Sequence, residues 1–266
     1  MNTKVDVVPR ELQAHVNSTK TIVLHYHLFK NAGTSIDSCF KDSLNDGEWI
    51  TREFTGSLVK KRKDLRDWIR NNTEAKCFSS HTAALPPPQI DDVNILPIIF
   101  IRHPLDRIAS AYAFEEKQNS STFGSVLARN TSLAGYIETR LSIPNDFQCR
   151  NFHAVRLAEM YSEETSSIEE RALQAVSELP FIGMVEEFDK SINTLQMLLG
   201  QTSLSGTNIV AKRKNVSQNA EASLEKKLET LKKRIGKSLF HELEQINSID
   251  LKLFEAVLKI YAAEEE

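Results

Sequence analysis

The stretch Thr21-Ile22-Val23-Leu24-His25-Tyr26-His27 is β-branched and aromatic, and it runs directly into Lys30-Asn31-Ala32-Gly33-Thr34-Ser35. Beyond that loop Ile36, Cys39, Phe40 and Leu44 recur at helical spacing, so the unit reads strand, tight turn, helix. Two more such units follow. Pro97-Ile98-Ile99-Phe100-Ile101 is a continuous apolar run of the kind found in buried parallel strands, and Arg102-His103-Pro104 leads from it into a helical pattern through Phe114. Phe181-Ile182-Gly183-Met184-Val185 precedes an amphipathic series at Phe188, Ile192, Leu195, Leu198 and Leu199. Alternating strand and helix patterns predict an α/β fold, a three-layer P-loop-like arrangement with a central, mainly parallel sheet flanked by helices. A helix over 57–70 and a short strand at Cys77-Phe78-Ser79-Ser80, ending at His81, fit the same scheme. Pro86-Pro87-Pro88 forces an extended loop between them and the apolar run. The remainder, including 220–234 and 249–262, reads as helix, so the C-terminal part is helix-rich.

The 266 residues are 41% hydrophobic and 26% charged, enough apolar material for a substantial core. No Gly/Ser/Pro-rich stretch is long enough for a linker, so the expectation is an N-terminal extension over 1–20 and a single domain over 21–266. A formal net charge of −3 argues against a general nucleic-acid partner. Two basic clusters interrupt that balance. Lys60, Lys61, Arg62, Lys63 and Arg66 read as a solvated helix face, and Lys212, Arg213 and Lys214 as a basic loop. Three widely spaced cysteines, Cys39, Cys77 and Cys149, suggest neither a zinc site nor a disulfide framework. With charged residues scattered through the first twenty positions, and no apolar run near the ~18 residues of a membrane span, a cytoplasmic protein without a membrane span is expected. The Asn-x-Ser/Thr triplets at Asn17, Asn71, Asn119, Asn130 and Asn215 then carry no weight as glycosylation sites.

The chemistry concentrates at the first two turns. A loop with a Lys, a Gly and two hydroxyls at a helix start presents free N–H groups and the positive end of the helix dipole, a natural seat for phosphate. Gly33 would let backbone approach closely, while Thr34 and Ser35 would add hydroxyl donors. The Walker pattern is absent, because Lys30 precedes the glycine. At the second turn Pro104 suits the first helical position, and Arg102 points into the crevice at the strand ends. Together with Ser110, further along the helix, it could hold a second phosphate through charge-assisted hydrogen bonds.

These residues carry a resemblance. His27-Leu28-Phe29-Lys30-Asn31-Ala32-Gly33-Thr34-Ser35 resembles the 5′-phosphosulfate-binding loop of sulfotransferases, in the form used by the branch that includes heparan sulfate 2-O-sulfotransferases. The run from Arg102-His103-Pro104 through Arg107 to Ser110-Ala111-Tyr112 resembles the 3′-phosphate-binding motif of the same superfamily. Phe181 to Phe188 and Asn215-Val216-Ser217 are similar to later family segments, so the likeness spans 21–217. It implies a donor, 3′-phosphoadenosine 5′-phosphosulfate, that leaves as adenosine 3′,5′-bisphosphate, with no metal. By the same resemblance Lys30, Asn31, Ala32, Gly33, Thr34 and Ser35 wrap the 5′-phosphate, Arg102 and Ser110 hold the 3′-phosphate, and Asn215 lies near the nucleotide. Lys30 would also stabilise the leaving oxygen, and His81 would be the general base that takes a proton from an acceptor hydroxyl, on a carbohydrate. The family commonly has Gly-His where this chain has Ser80-His81.

Other residues read more blandly. Arg107 and Tyr112 are expected to brace the motif by surface pairing and packing. His25, His27 and His103 read as hydrogen-bonded structural histidines, while His153 and His241 have no supporting context. Glu186 and Glu187 are an alternative base pair, or simply a favourable helix start. Residues 83–90 and 117–150 are expected to wall the acceptor site. A nucleotide-dependent kinase is the enzymatic rival, opposed by the missing Walker lysine and the second phosphate site. A non-catalytic nucleotide- or glycan-binding module is the other, opposed by the presence of both Lys30 and His81.

Overall fold

In the computed structural model of the protein, residues 20–164, 166–212 and 222–263 are described. Five strands, β1 (Lys20–Tyr26), β2 (Trp49–Thr51), β3 (Cys77–Ser80), β4 (Val93–Ile101) and β5 (Ile182–Met184), form one sheet in the order β2-β3-β1-β4-β5. Every pairing is parallel. Side-chain alternation splits the strands between two cores. Ile22, Leu24 and Tyr26 of β1 share one face with Ile99 and Ile101 of β4. Val23, Ile98 and Phe100 face the other way.

Helices cover both faces. Against the first face lie α2 (Leu58–Arg70), α6 (Phe152–Ala158), α7 (Ile168–Glu178) and the last helix, α11 (Ser248–Ala263). Against the second lie α1 (Gly33–Lys41) and α8 (Phe188–Gly200). A third apolar cluster joins α3 (Pro104–Lys117), α4 (Phe123–Asn130), α5 (Leu133–Ser142), α9 (Leu224–Ile235) and α10 (Lys237–Ile246). The expected three-layer α/β fold and helix-rich C-terminal part are therefore found. The short edge strand β2 carries no periodicity to announce it.

The connections fix where a ligand can bind. The chain leaves β1 toward the β2 edge and leaves β4 toward β5, so the sheet order reverses between these two neighbours. Open α/β sheets bind ligands in the crevice beyond the strand C-termini at such a point. Three adjacent strands end there, with His81 after β3, the Lys30 loop after β1 and Arg102 after β4.

The basic cluster on α2 is partly solvated, as Lys60–Asp64 and Lys63–Asp67 pair one turn apart. Arg62 departs from that reading, because it donates to the carbonyls of Leu85 and Glu159 and ties α2 to two loops. Cys39, Cys77 and Cys149 are buried free thiols. Among the described residues no helix is long and apolar enough to cross a membrane. Residues 1–19, together with Arg213, Lys214 and Asn215, lie outside the described residues.

Candidate active site

The loop after β1 has an unusual backbone. Lys30 and Ala32 both adopt positive φ, at 65° and 60°, and Asn31 between them does not. Such an alternation of handedness turns neighbouring N–H groups toward one side, as in an anion-binding nest, with the Asn31 amide itself donating to the Leu28 carbonyl at 3.2 Å. Ala32 is also the N-cap residue of α1, and no side chain caps the helix start. The amides of Gly33 and Thr34 thus belong to a first turn whose N–H groups have no partner within the helix. Ser35 is buried and Thr34 exposed.

Gly33 has a steric duty of its own. A Cβ there would lie 2.0 Å from the His27 ring, so the glycine admits His27 against the start of α1. The His27 and His25 Nδ1 atoms sit 2.9 and 2.8 Å from the two oxygens of Asp37 on α1. Burial raises the Asp37 carboxyl, yet both histidines outweigh it and hold it far below the usual carboxylate range. The Nδ1 and carboxylate atoms of His25, His27 and Asp37 lie within 4.8 Å of one another, a donor set that could take a divalent ion. In the structure the same atoms are joined by the Asp37 hydrogen bonds.

His81 stacks on this pair, its ring centroid 3.8 Å from that of His27. Its backbone N–H donates to Glu53 and its Nδ1 lies 3.0 Å from the His27 carbonyl. A carbonyl only accepts, so Nδ1 carries the hydrogen and Nε2 is left with its lone pair. Loss of water on the stacked side, with the neighbouring His27 next, lowers the His81 pKa, which keeps the ring neutral at pH 7. Beside it opens a cleft of about 380 Å³ lined by Leu28, Phe29, His81, Phe114, Gln118, Phe152 and Arg156. Lys30 Nζ stands 4.2 Å over the Phe114 ring, at the wall of the same cleft. Burial and then Arg102 lower the Lys30 pKa.

At the end of β4, Arg102 is held by the Asp106 carboxylate through Nε at 2.7 Å and Nη2 at 2.6 Å. Its Nη1 reaches the Lys30 carbonyl at 3.4 Å, which links the two turns. Arg102, Asp106 and Ser110 recur every four residues, so the half-buried Ser110 shares their side of α3.

A sequence model of the sulfotransferase family matches residues 14–256. The chain belongs to the sulfotransferase family. It is also similar to an uncharacterized protein of Archaeoglobus fulgidus, 39% identical over 249 residues that cover 91% of this chain and 98% of the relative.

In this sulfotransferase the structure brings Lys30, Asn31, Ala32, Gly33, Thr34, Ser35, His81 and Arg102 to three neighbouring strand ends, whereas Asn215 is outside the described residues. Four expectations need correction. Arg107 is no surface brace. It is 1% exposed, donates to the Gln148 carbonyl and lies over the Phe152 ring. Glu186 does not face the cleft; its Oε1 accepts from the His103 amide at the start of α3, and burial raises its pKa. Of the expected acceptor walls, Gln118 lines the cleft, whereas 83–90 does not and places Leu85 in the core. His153, without context in the sequence, bonds to both Asn31 and Asp250. Tyr112 does brace, its hydroxyl within hydrogen-bond distance of Glu116 and of the Thr131 carbonyl, to one of which its single O–H donates.

Proposed function

We propose that this sulfotransferase moves the sulfonate of 3′-phosphoadenosine 5′-phosphosulfate onto an acceptor hydroxyl of a carbohydrate, in the manner of the branch that includes heparan sulfate 2-O-sulfotransferases. The observation that carries the reading is the row of strand ends: an uncapped helix start with its backbone nest at β1, an arginine and a serine at β4, and a neutral histidine at β3. The nest and the α1 dipole receive the 5′-phosphate. Arg102 and Ser110 receive the 3′-phosphate, with Asp106 holding the guanidinium in place beforehand.

His81 Nε2 takes the acceptor proton as the acceptor oxygen forms its bond to sulfur. The bond from sulfur to the bridging oxygen breaks in line, and the electron pair stays on the bisphosphate. Lys30 meets the charge that develops there. Among the described residues no carboxylate lines the cleft, which favours His81 over Glu186 or Glu187 as the base. Phe29, Phe114 and Phe152 offer apolar surfaces on which the C–H faces of a sugar can lie. Incubation with a labelled sulfonate donor and a panel of neutral and acidic glycans tests the proposal: label is expected on a glycan hydroxyl with wild type and not with His81→Ala. Phosphoryl transfer from ATP to the same glycans would favour the kinase instead.

A further inference from the structure

The 5′-phosphate loop is wired to the last helix of the chain. Asn31, at the centre of the nest, is 2% exposed. Its Nδ2 donates to the Phe29 carbonyl at 3.1 Å, which leaves Oδ1 as the acceptor for His153 Nε2 at 2.9 Å. On the other side of the ring His153 Nδ1 lies 3.0 Å from Asp250 Oδ2. His153 and Asp250 are each 1% exposed. The imidazole therefore donates through Nε2 to Asn31, with the Asp250 carboxylate against its other nitrogen.

Asp250 is itself fixed. Its two oxygens accept the amides of His153 and Ala154 at 3.0 and 2.8 Å, capping the first turn of α6. Asn247 accepts the Asn151 amide, and Asn151 in turn accepts the Asp250 amide. The starts of α6 and α11 thus cap one another reciprocally. Burial raises the Asp250 carboxyl, but the His153 ring and the two amides outweigh it and hold it below the usual range. All this lies beneath a loop in which Lys30 and Ala32 hold left-handed conformations that non-glycine residues avoid. Such a conformation persists only when its surroundings over-determine it.

We infer that His153 is a positioning residue for the donor site: backed by Asp250, it holds the Asn31 side chain and thereby the conformation in which the loop amides meet the donor's 5′-phosphate. The inference rests on the two-phosphate reading of the strand ends and adds to it a specific dependence on one hydrogen bond. That bond acts on the 5′-phosphate and leaves the Arg102 side of the site alone.

Two variants separate positioning from mere packing. In His153→Gln the carboxamide nitrogen can occupy the place of Nε2 and still donate to Asn31. In His153→Asn it can occupy the place of Nδ1, facing Asp250 but short of Asn31. Calorimetric titration of wild type and both variants with adenosine 3′-phosphate and with adenosine 3′,5′-bisphosphate gives, for each protein, the gain in affinity due to the 5′-phosphate. The gain is expected to survive in the Gln variant and to shrink about tenfold in the Asn variant, the scale of one hydrogen bond, with adenosine 3′-phosphate affinity unchanged in both. Equal gains in the two variants, or equal weakening of both ligands, would overturn the inference. If the Asn variant melts below the assay temperature, the Gln variant decides alone: a retained gain supports the inference and a lost one overturns it. A wild type that binds the two ligands equally removes the 5′-phosphate reading of the loop, and this inference with it.

Discussion

At the scale of single residues, function turns on protonation states that neighbours impose. His81 has one nitrogen committed to a carbonyl and a pKa lowered from 6.5, which suits it to the proposed role of base. His81→Ala is expected to cut turnover about a hundredfold or more while leaving bisphosphate affinity within error. Wild-type turnover needs the neutral ring, so the rate should fall along an acidic limb displaced below the ordinary histidine range, and that limb should vanish in the variant. Lys30→Ala is expected to cost a hundredfold to a thousandfold in turnover, with a smaller loss of donor affinity, because the charge it meets appears only as the sulfonate leaves. His103 bears on stability with the same need for a neutral ring. Burial lowers its pKa to about 4, whereas the unfolded chain protonates it near 6.5. Between these values the unfolded state binds the extra proton, so this contribution is intact above pH 6.5 and falls away as pH drops toward 4. Thermal melts across that window should show a shallower decline for His103→Phe, whose ring can keep the edge contact with Phe254.

Elements explain why some of the site was readable from the sequence and some was not. The turns after β1 and β4 were legible because their chemistry is local: strand, special loop residues and helix start follow one another within about a dozen positions. The pairing of His153 with Asp250 was not, since 97 residues separate them and only the docking of α11 on α6 brings them together. Arg107 deceived for a related reason. An arginine in a first helical turn ordinarily faces water, and only the packing of α3 against Phe152 buries it. Gly33 was noticed for the phosphate, while its contact with His27 depends on how closely β1 and α1 approach. Gly33→Ala therefore tests the element junction. The added methyl must displace the His27 ring, and a loss of roughly 1–3 kcal/mol in unfolding free energy is expected from denaturant melts, along with weakened donor binding.

On the scale of the whole molecule, the sheet order sets where chemistry occurs. Because β1 and β4 are neighbours whose connections run in opposite directions, the two turns proposed to bind phosphate meet side by side, and β3 adds the proposed base from the next position. Helices α6 and α11 support that row from one face and α1 starts from within it. The Arg102 side chain links the two turns, bonded to Asp106 and to the Lys30 carbonyl, so the sites proposed for the 3′- and 5′-phosphates adjoin. A donor with both phosphates should then be strongly preferred over one with a single phosphate. Calorimetric comparison of adenosine 3′,5′-bisphosphate with adenosine 5′-phosphate tests this directly. The bisphosphate should bind at least about tenfold more tightly, and Arg102→Ala should remove about 1.5–3 kcal/mol of that difference; equal affinity of the wild-type protein for the two ligands would contradict it.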